Sequence, residues 1–263
     1  MTLISSHNNP KVKLARALRH KKARQESGLF IVEGIRPVGE AIQAGAAIDS
    51  LFYAPELLKS EFAHDLIQAQ SQAGVPCYAA SLEVFASLAD KENPQGLLAL
   101  VHQWEKNLAD LNPQNFPWGV ALVAPQDPGN LGTILRTVDA VGASGLLLLE
   151  SSADVYHPGA VRASMGALFW HPVATASFAE FSAWSQGHGY HIYGTSAHAE
   201  MDYRDAPGYD WPRILLLGSE REGLNQEQIQ ICELVIRLPM RGRATSLNLG
   251  VAAGVMLYAM LDH

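Results

Sequence analysis

Short runs of Leu, Ile and Val that do not alternate with polar residues decide what this chain can fold into. "WGVALVAP" (118–125), "GLLLLE" (145–150), "RILLLGSE" (213–220) and "LVIRLP" (234–239) would be apolar on both faces of a strand. Such strands suit a parallel sheet covered on both sides. "GYHIYGTSA" (189–197) adds another strand. Helical stretches fall between, from "QDPGNLGTILRT" to Val141, from near Pro158, and in "NQEQIQIC" (225–232). Strand and helix in alternation predict an α/β layer fold. The last stretch, "TSLNLGVAAGVMLYAMLDH", predicts an apolar helix capped by Thr245 or Ser246.

The first half alternates too. "GLFIVEG" (28–34), "SLFYAP" (50–55), "VPCYAA" (75–80) and "GLLALVH" (96–102) predict strands, with helices over 36–45 and 61–74. "WEKNLADLNPQNFPW" has two prolines, charges and no sustained periodicity, and predicts a linker. The expected division is a domain over 1–103, a linker over 104–117 and a second domain over 118–263.

With 48% hydrophobic and 17% charged residues the chain has ample material for a core. No apolar run opens the sequence, and the stretch from Leu247 to Leu261 is too short to span a membrane. A cytoplasmic protein is expected. Cys77 and Cys232 form no CxxC pair, and His188 and His191 are the only close histidines, so neither a disulfide nor a metal is expected. The net charge of −7 conceals an asymmetry. Lys11, Lys13, Arg16, Arg19, Lys21, Lys22 and Arg24 are seven of the 19 basic residues, and no acid precedes Glu26. The rest of the chain holds 12 basic residues against 26 acidic ones. A basic arm on an acidic body suits phosphates, although a solvated helix face that happens to be basic would show the same run of charge.

No GxGxxG, GxxxxGK[ST] or GxSxG pattern occurs, which removes the usual dinucleotide, P-loop and serine-hydrolase readings. Three glycine-punctuated segments remain, each just after a strand: "NLGTILR" (130–136), "LLLGSEREGL" (215–224) and "LPMRGRATSLN" (238–248). In open α/β sheets the carboxyl ends of strands line the ligand crevice. Gly218, Gly223 and Gly242 would let backbone approach a ligand closely. The turn before Thr133 opens a helix and leaves several backbone N–H groups unpaired at its start.

These segments resemble, in order, the three signature motifs of the SpoU (TrmH-like) RNA 2′-O-ribose methyltransferases of the SPOUT superfamily. Asn130, Gly132 and Arg136 resemble N-x-x-G-x-x-x-R, here with one residue between Asn and Gly and the Arg four positions after the Gly. Gly218, Glu220 and Gly223 match G-x-E-x-x-G, and Pro239, Gly242, Ser246, Leu247 and Asn248 match P-x-x-G-x-x-x-S-L-N. "VRASMGALF" (161–169) is also similar to the family. "FIVEGIRPVGEAIQAG" resembles the smaller L30e-like substrate-binding domain attached in many members. Thr245 stands where many relatives carry Glu, and Ser219 where Asn or Ala is frequent. Arg241 and Arg243 around Gly242 make the site more positive.

The resemblance implies a C-terminal α/β domain with a trefoil knot, an N-terminal L30e-like α/β domain, a homodimer with sites completed across the interface, and S-adenosylmethionine as cofactor. Gly218, Leu238, Leu247 and Thr195 are its expected binding residues. Arg136, Asn130, Glu220, Ser246 and Asn248 are expected to serve attack of a ribose 2′-OH on the sulfonium methyl. A guanidinium stays protonated, so Arg136 suits gripping phosphate and stabilising alkoxide better than acting as a base. Glu220 either positions the ribose or orients Arg136. Lys11, Lys13, Arg16, Arg19, Arg241 and Arg243 are expected to meet RNA, and the turn and helix start at Asn130–Arg136 an RNA ribose-phosphate. Ribosomal RNA is the first expectation and transfer RNA the second. An inactive RNA-binding protein, or a transferase acting on protein or a small molecule, are the alternatives.

Overall fold

The computed structural model describes residues 3–90 and 93–261 and divides into two compact units. One comprises the chain up to Trp104 together with Asp154–Phe169; the other comprises Glu105–Ala153 and the chain from Trp170 onward.

The first unit opens on two short helices, α1 (Pro10–Ala17) and α2 (Lys21–Ser27), which carry the basic arm. Asn9 caps α1 by accepting from the Lys11 N–H, and Gly28 ends α2 at φ 66°, a conformation glycine adopts without penalty. There follow β1 (Leu29–Glu33), α3 (Ile35–Gln43), β2 (Ile48–Tyr53), α4 (Glu61–Gln72), β3 (Cys77–Ala79), α5 (Leu82–Leu88) and β4 (Leu97–His102). The sheet order is β1-β4-β2-β3, antiparallel except for the β2–β3 pair. Val12, Ala15 and Leu18 of the arm pack in a core with Ile31, Phe52, Phe85 and Leu100. That buried stripe fixes the arm as an integral part of the unit. The segment Asp154–Phe169, with its short helix over Pro158–Ser164, joins this unit, although the sequence runs it within the C-terminal half. It is held by the fully buried Arg24, which donates to Asp154 Oδ2 at 2.9 and 2.6 Å and to the carbonyls of Leu18 and Arg19.

The second unit is a seven-stranded, wholly parallel sheet. Its elements are β5 (Trp118–Val123), α6 (Pro128–Val141), β6 (Gly145–Leu149), β7 (Val173–Ala176), α8 (Phe178–Gly187), β8 (His191–Thr195), β9 (Met201–Asp202), β10 (Arg213–Leu217), α9 (Gln226–Gln230), β11 (Leu234–Arg237) and α10 (Leu249–Leu261), with α7 being the Pro158–Ser164 helix of the other unit. Strand order is β7-β6-β5-β10-β8-β11-β9. Ala121, Val123, Leu147, Leu149, Ile214 and Leu216 point to a core shared with Phe178 and Phe181 of α8. Alternation sends Val120, Leu122, Leu215 and Leu217 to the other face, where α6 and α10 pack together. Both faces are covered, as the unalternating strands require.

Residues 104–117 are more than a tether. Leu108, Leu111 and Phe116 are buried in the sheet core, and the Trp184 indole N–H donates to the Leu111 carbonyl at 2.9 Å. The terminal helix is capped by Asn248, not by Thr245 or Ser246: its Oδ1 accepts from the N–H groups of Gly250 (2.9 Å) and Val251 (3.3 Å). A planar amide two residues before the first free N–H reaches both donors, whereas Thr245 and Ser246 lie farther upstream.

Candidate active site

The sheet order assembles the site. β5 and β10 are neighbours, so the loops leaving their carboxyl ends, beginning at Ala124 and Gly218, start side by side. The strand order reverses at this pair, and that is where α/β sheets open a crevice. Glu220 bridges the two loops. Its Oε2 accepts from the Gln126 N–H and its Oε1 from Asn130 Nδ2, both at 3.0 Å. Asn130 Oδ1 in turn accepts from Asn248 Nδ2 at 2.9 Å. One chain of side-chain hydrogen bonds therefore ties together all three glycine-punctuated segments. Asn130 is its buried middle member, 7% exposed. Gln126, which composition gave no reason to single out, braces the same loop through Nε2, which donates to the Ala124 carbonyl at 2.8 Å.

The helix start has a partner from within the chain. Asp127 caps α6, its Oδ1 accepting from the Gly129 N–H at 2.8 Å, and its carbonyl accepts from Asn130. The carboxylate occupies the place an anion would take at a helix N-terminus.

A pocket of about 520 Å³ lies over the carboxyl ends of β8, β10 and β11. Thr195, Gly218, Leu238 and Leu247 all line it, together with Ser246, Glu220 and Met240. Its wall combines apolar side chains such as Leu217, Ile236 and Leu238 with polar ones such as Ser196 and Glu220, which suits the adenosyl and methionyl parts of S-adenosylmethionine. Gly218 is also constrained from within the chain. A Cβ there would stand 2.1 Å from the Gly223 carbonyl carbon, so it is the chain's own loop that approaches closely. That loop closes on itself through paired bonds between Ser219 and Gly223. Gly223 needs its φ of 69°, while a Cβ at Gly242 would meet no atom within 4 Å. Beneath the site, burial pushes the Cys232 thiol up to about 12, so it is a packing group against Gly194 and not a nucleophile.

Arg136 is exposed on α6 and is not among the residues lining the pocket. Glu220 makes no ion pair with it among the described residues, and both carboxylate oxygens are engaged by Gln126 and Asn130. Ser246, Arg241 and Arg243 are exposed on the loop before α10. In the basic arm, Lys11 and Lys13 project outward, as do Lys21 and Lys22. Arg16 donates to the His7 carbonyl, and Arg19 is half-buried and donates to the carbonyls of Leu88 (3.1 Å) and Ala89 (2.6 Å). Arg19 thus holds the unit together with the group expected to meet RNA.

A pocket over parallel strand ends, lined by two of the three glycine-bearing segments and tied by hydrogen bonds to the third, fits an α/β enzyme that binds a small-molecule cofactor at its sheet crevice. The profile of the SpoU rRNA Methylase family matches residues 117–258, and that of the MRM3-like substrate binding domain matches residues 9–99. The chain belongs to the SpoU rRNA methylase family. It is 30% identical to the 23S rRNA (guanosine(2553)-2′-O)-methyltransferase RlmP of Bacillus subtilis over 98% of both chains. The AdoMet-bound rRNA methyltransferase of Sinorhizobium meliloti superposes with a TM-score of 0.90 at 35% identity, covering 100% of this chain and 98% of that one. The SpoU methyltransferase AviRb of Streptomyces viridochromogenes, in complex with AdoMet, gives 0.86 at 29% identity over 97% and 98%. The protein is an S-adenosylmethionine-dependent RNA ribose 2′-O-methyltransferase. No helix among the described residues is long and apolar enough to cross a membrane.

Proposed function

We propose that the acceptor is a ribose in ribosomal RNA and that the working enzyme is a homodimer whose partner supplies Arg136. The observation that carries this reading is the bond chain Gln126–Glu220–Asn130–Asn248, which spends three of the expected catalytic side chains on one another. Asn130, Glu220 and Asn248 are then positioning residues that fix the pocket loops. The groups left to touch the ribose are the Ser246 hydroxyl at the pocket rim and a cation. S-adenosylmethionine supplies an electrophilic methyl in the pocket bounded by Thr195, Gly218, Leu238 and Leu247. Arg136 grips the neighbouring phosphate and stabilises the developing alkoxide. Arg241 and Arg243 lie on the pocket's own loop and add phosphate contacts, as do the outward lysines of the arm. We also read the loop carrying Arg241–Asn248 as the knotted segment.

The dimer follows from where Arg136 stands. α6 packs along α10, where Gly250 lies against Thr133, and α10 exposes Val251 (52%), Tyr258 (54%) and Leu261 (44%) at helical spacing. A second copy covering that apolar stripe borders the helix that bears Arg136. Support for ribosomal RNA comes from two curated relatives, both named as 23S rRNA 2′-O-methyltransferases.

Mixing two inactive proteins tests the arrangement. Arg136→Ala and Glu220→Ala subunits, exchanged to equilibrium, form about half heterodimers, each with one complete site. About a quarter of wild-type transfer from labelled S-adenosylmethionine to ribosomal RNA should return. No recovery from demonstrably mixed dimers places Arg136 in its own subunit's site, and label accepted by transfer RNA alone overturns the substrate.

A further inference from the structure

The amino ends of the strands, opposite the pocket, carry a second cluster of chemistry-bearing residues. His191 is the first residue of β8 and Glu233 immediately precedes β11, while Asp210 lies on the approach to β10. β8 sits between β10 and β11, so three separate chain segments deliver one imidazole and two carboxylates to one place. Their donor atoms all lie within 4.8 Å of one another. Each is anchored by its backbone to the sheet: the His191 N–H donates to the Pro212 carbonyl (2.9 Å), the Glu233 N–H to the Ile192 carbonyl (2.8 Å), and the Asp210 N–H to the Tyr193 hydroxyl (2.7 Å).

We propose that His191, Asp210 and Glu233 form a site for a first-row divalent transition metal of zinc type. The donor set decides the class. An imidazole nitrogen suits zinc and its neighbours, whereas magnesium and calcium take oxygen ligands almost throughout. Two carboxylates balance the charge of a divalent ion, and three protein ligands leave a position for water. His191 Nδ1 and Glu233 Oε2 now stand 2.5 Å apart with a proton between them. Two ligands at roughly 2.0–2.2 Å from zinc stand about 3.3 Å apart in a tetrahedron. Small rotations of these half-exposed side chains open that gap, and the shared proton leaves as the metal enters. The site is structural: it clips the segments entering β10 and β11 onto β8. The strands separate it from the methyl-transfer pocket by about 15 Å at some 3.3 Å per residue, so it takes no part in that reaction.

The sequence hid this set because its members are 19 and 23 residues apart, on different loops, and only the crossed strand order unites them.

Titration calorimetry of the full-length, metal-free protein with zinc chloride tests the site, with magnesium chloride as the oxygen-preferring control. Wild type should bind one zinc ion at micromolar concentration or tighter. His191→Ala and Glu233→Gln should each weaken that binding at least tenfold while keeping the far-ultraviolet circular dichroism and the methyl-transfer rate of wild type. Zinc should also raise the melting temperature of wild type and leave that of the variants unmoved. Absence of zinc binding to wild type overturns the proposal, as does equal binding in both variants or equal uptake of magnesium. Should His191→Ala fail to fold, Glu233→Gln and Asp210→Asn decide alone.

Discussion

Removing the Asn130 amide tests whether the bond chain at the pocket rim holds the loops together. Asn130→Ala deletes the bond to Glu220 and the bond from Asn248. A neutral amide–amide bond contributes about 1 kcal/mol, and a bond to a carboxylate about 1.5–3 kcal/mol. Glu220 is exposed, and water replaces much of what the amide gave it, so about 1 kcal/mol is the better figure for that bond. The expected loss is therefore about 2 kcal/mol. Asn248→Ala removes the shared bond and the cap of α10, each worth about 1 kcal/mol, for a similar total. Because the two variants lose one bond in common, the double variant should lose about 3 kcal/mol, leaving a coupling near 1 kcal/mol. Urea unfolding of the four proteins, followed by tryptophan fluorescence and circular dichroism, measures the cycle. Additivity within about 0.3 kcal/mol would refute the chain of bonds, since independent sites behave in that way.

Other consequences follow from the same geometry. Neutralising Lys11, Lys13, Lys21 and Lys22 should flatten the slope of log RNA affinity against log salt by about 3, at roughly 0.7–0.9 per phosphate contact. Arg19→Ala should leave that slope alone and lower the urea midpoint instead, because its guanidinium is bonded to the Leu88 and Ala89 carbonyls. Gly218→Ala should cost about 1–3 kcal/mol in urea unfolding, as the new methyl must displace the Gly223 backbone 2.1 Å away. Gly242→Ala, with open space at that position, should stay within about 0.5 kcal/mol of wild type.

Much of this fold could be read from local patterns. Unalternating runs such as "GLLLLE" identified parallel strands because burial on both faces leaves no polar position to alternate. Other elements escaped for equally physical reasons. α8 has little apolar periodicity, since Phe178, Phe181 and Trp184 bury around a short helix; its signal was the capping box of Ser177 and Glu180. β7 is four residues of small side chains. The union of Asp154–Phe169 with the N-terminal unit depends on Arg24 reaching Asp154 across 130 residues, a pairing no local window contains. At the site, the sequence offered candidate residues but not the contacts among them. Asn130, Glu220 and Asn248 stood out by their resemblance to the family motifs, but whether each faces a ligand or another side chain depends on β5 lying beside β10. The arm shows the same limit, for charge alone does not tell Lys13, which projects into solvent, from Arg19, which is tied down.

The protein methylates a ribose 2′-OH in RNA, and ribosomal RNA is its proposed substrate. Mapping resistance to alkaline cleavage across ribosomal RNA from cells with and without the gene tests it directly, because a 2′-O-methyl blocks attack on the adjacent phosphate. One protected nucleotide should disappear with the gene, return with the wild-type protein and stay absent with Arg136→Ala. Identical protection patterns in the two strains, or a lost modification located on a base instead of a ribose, would contradict it.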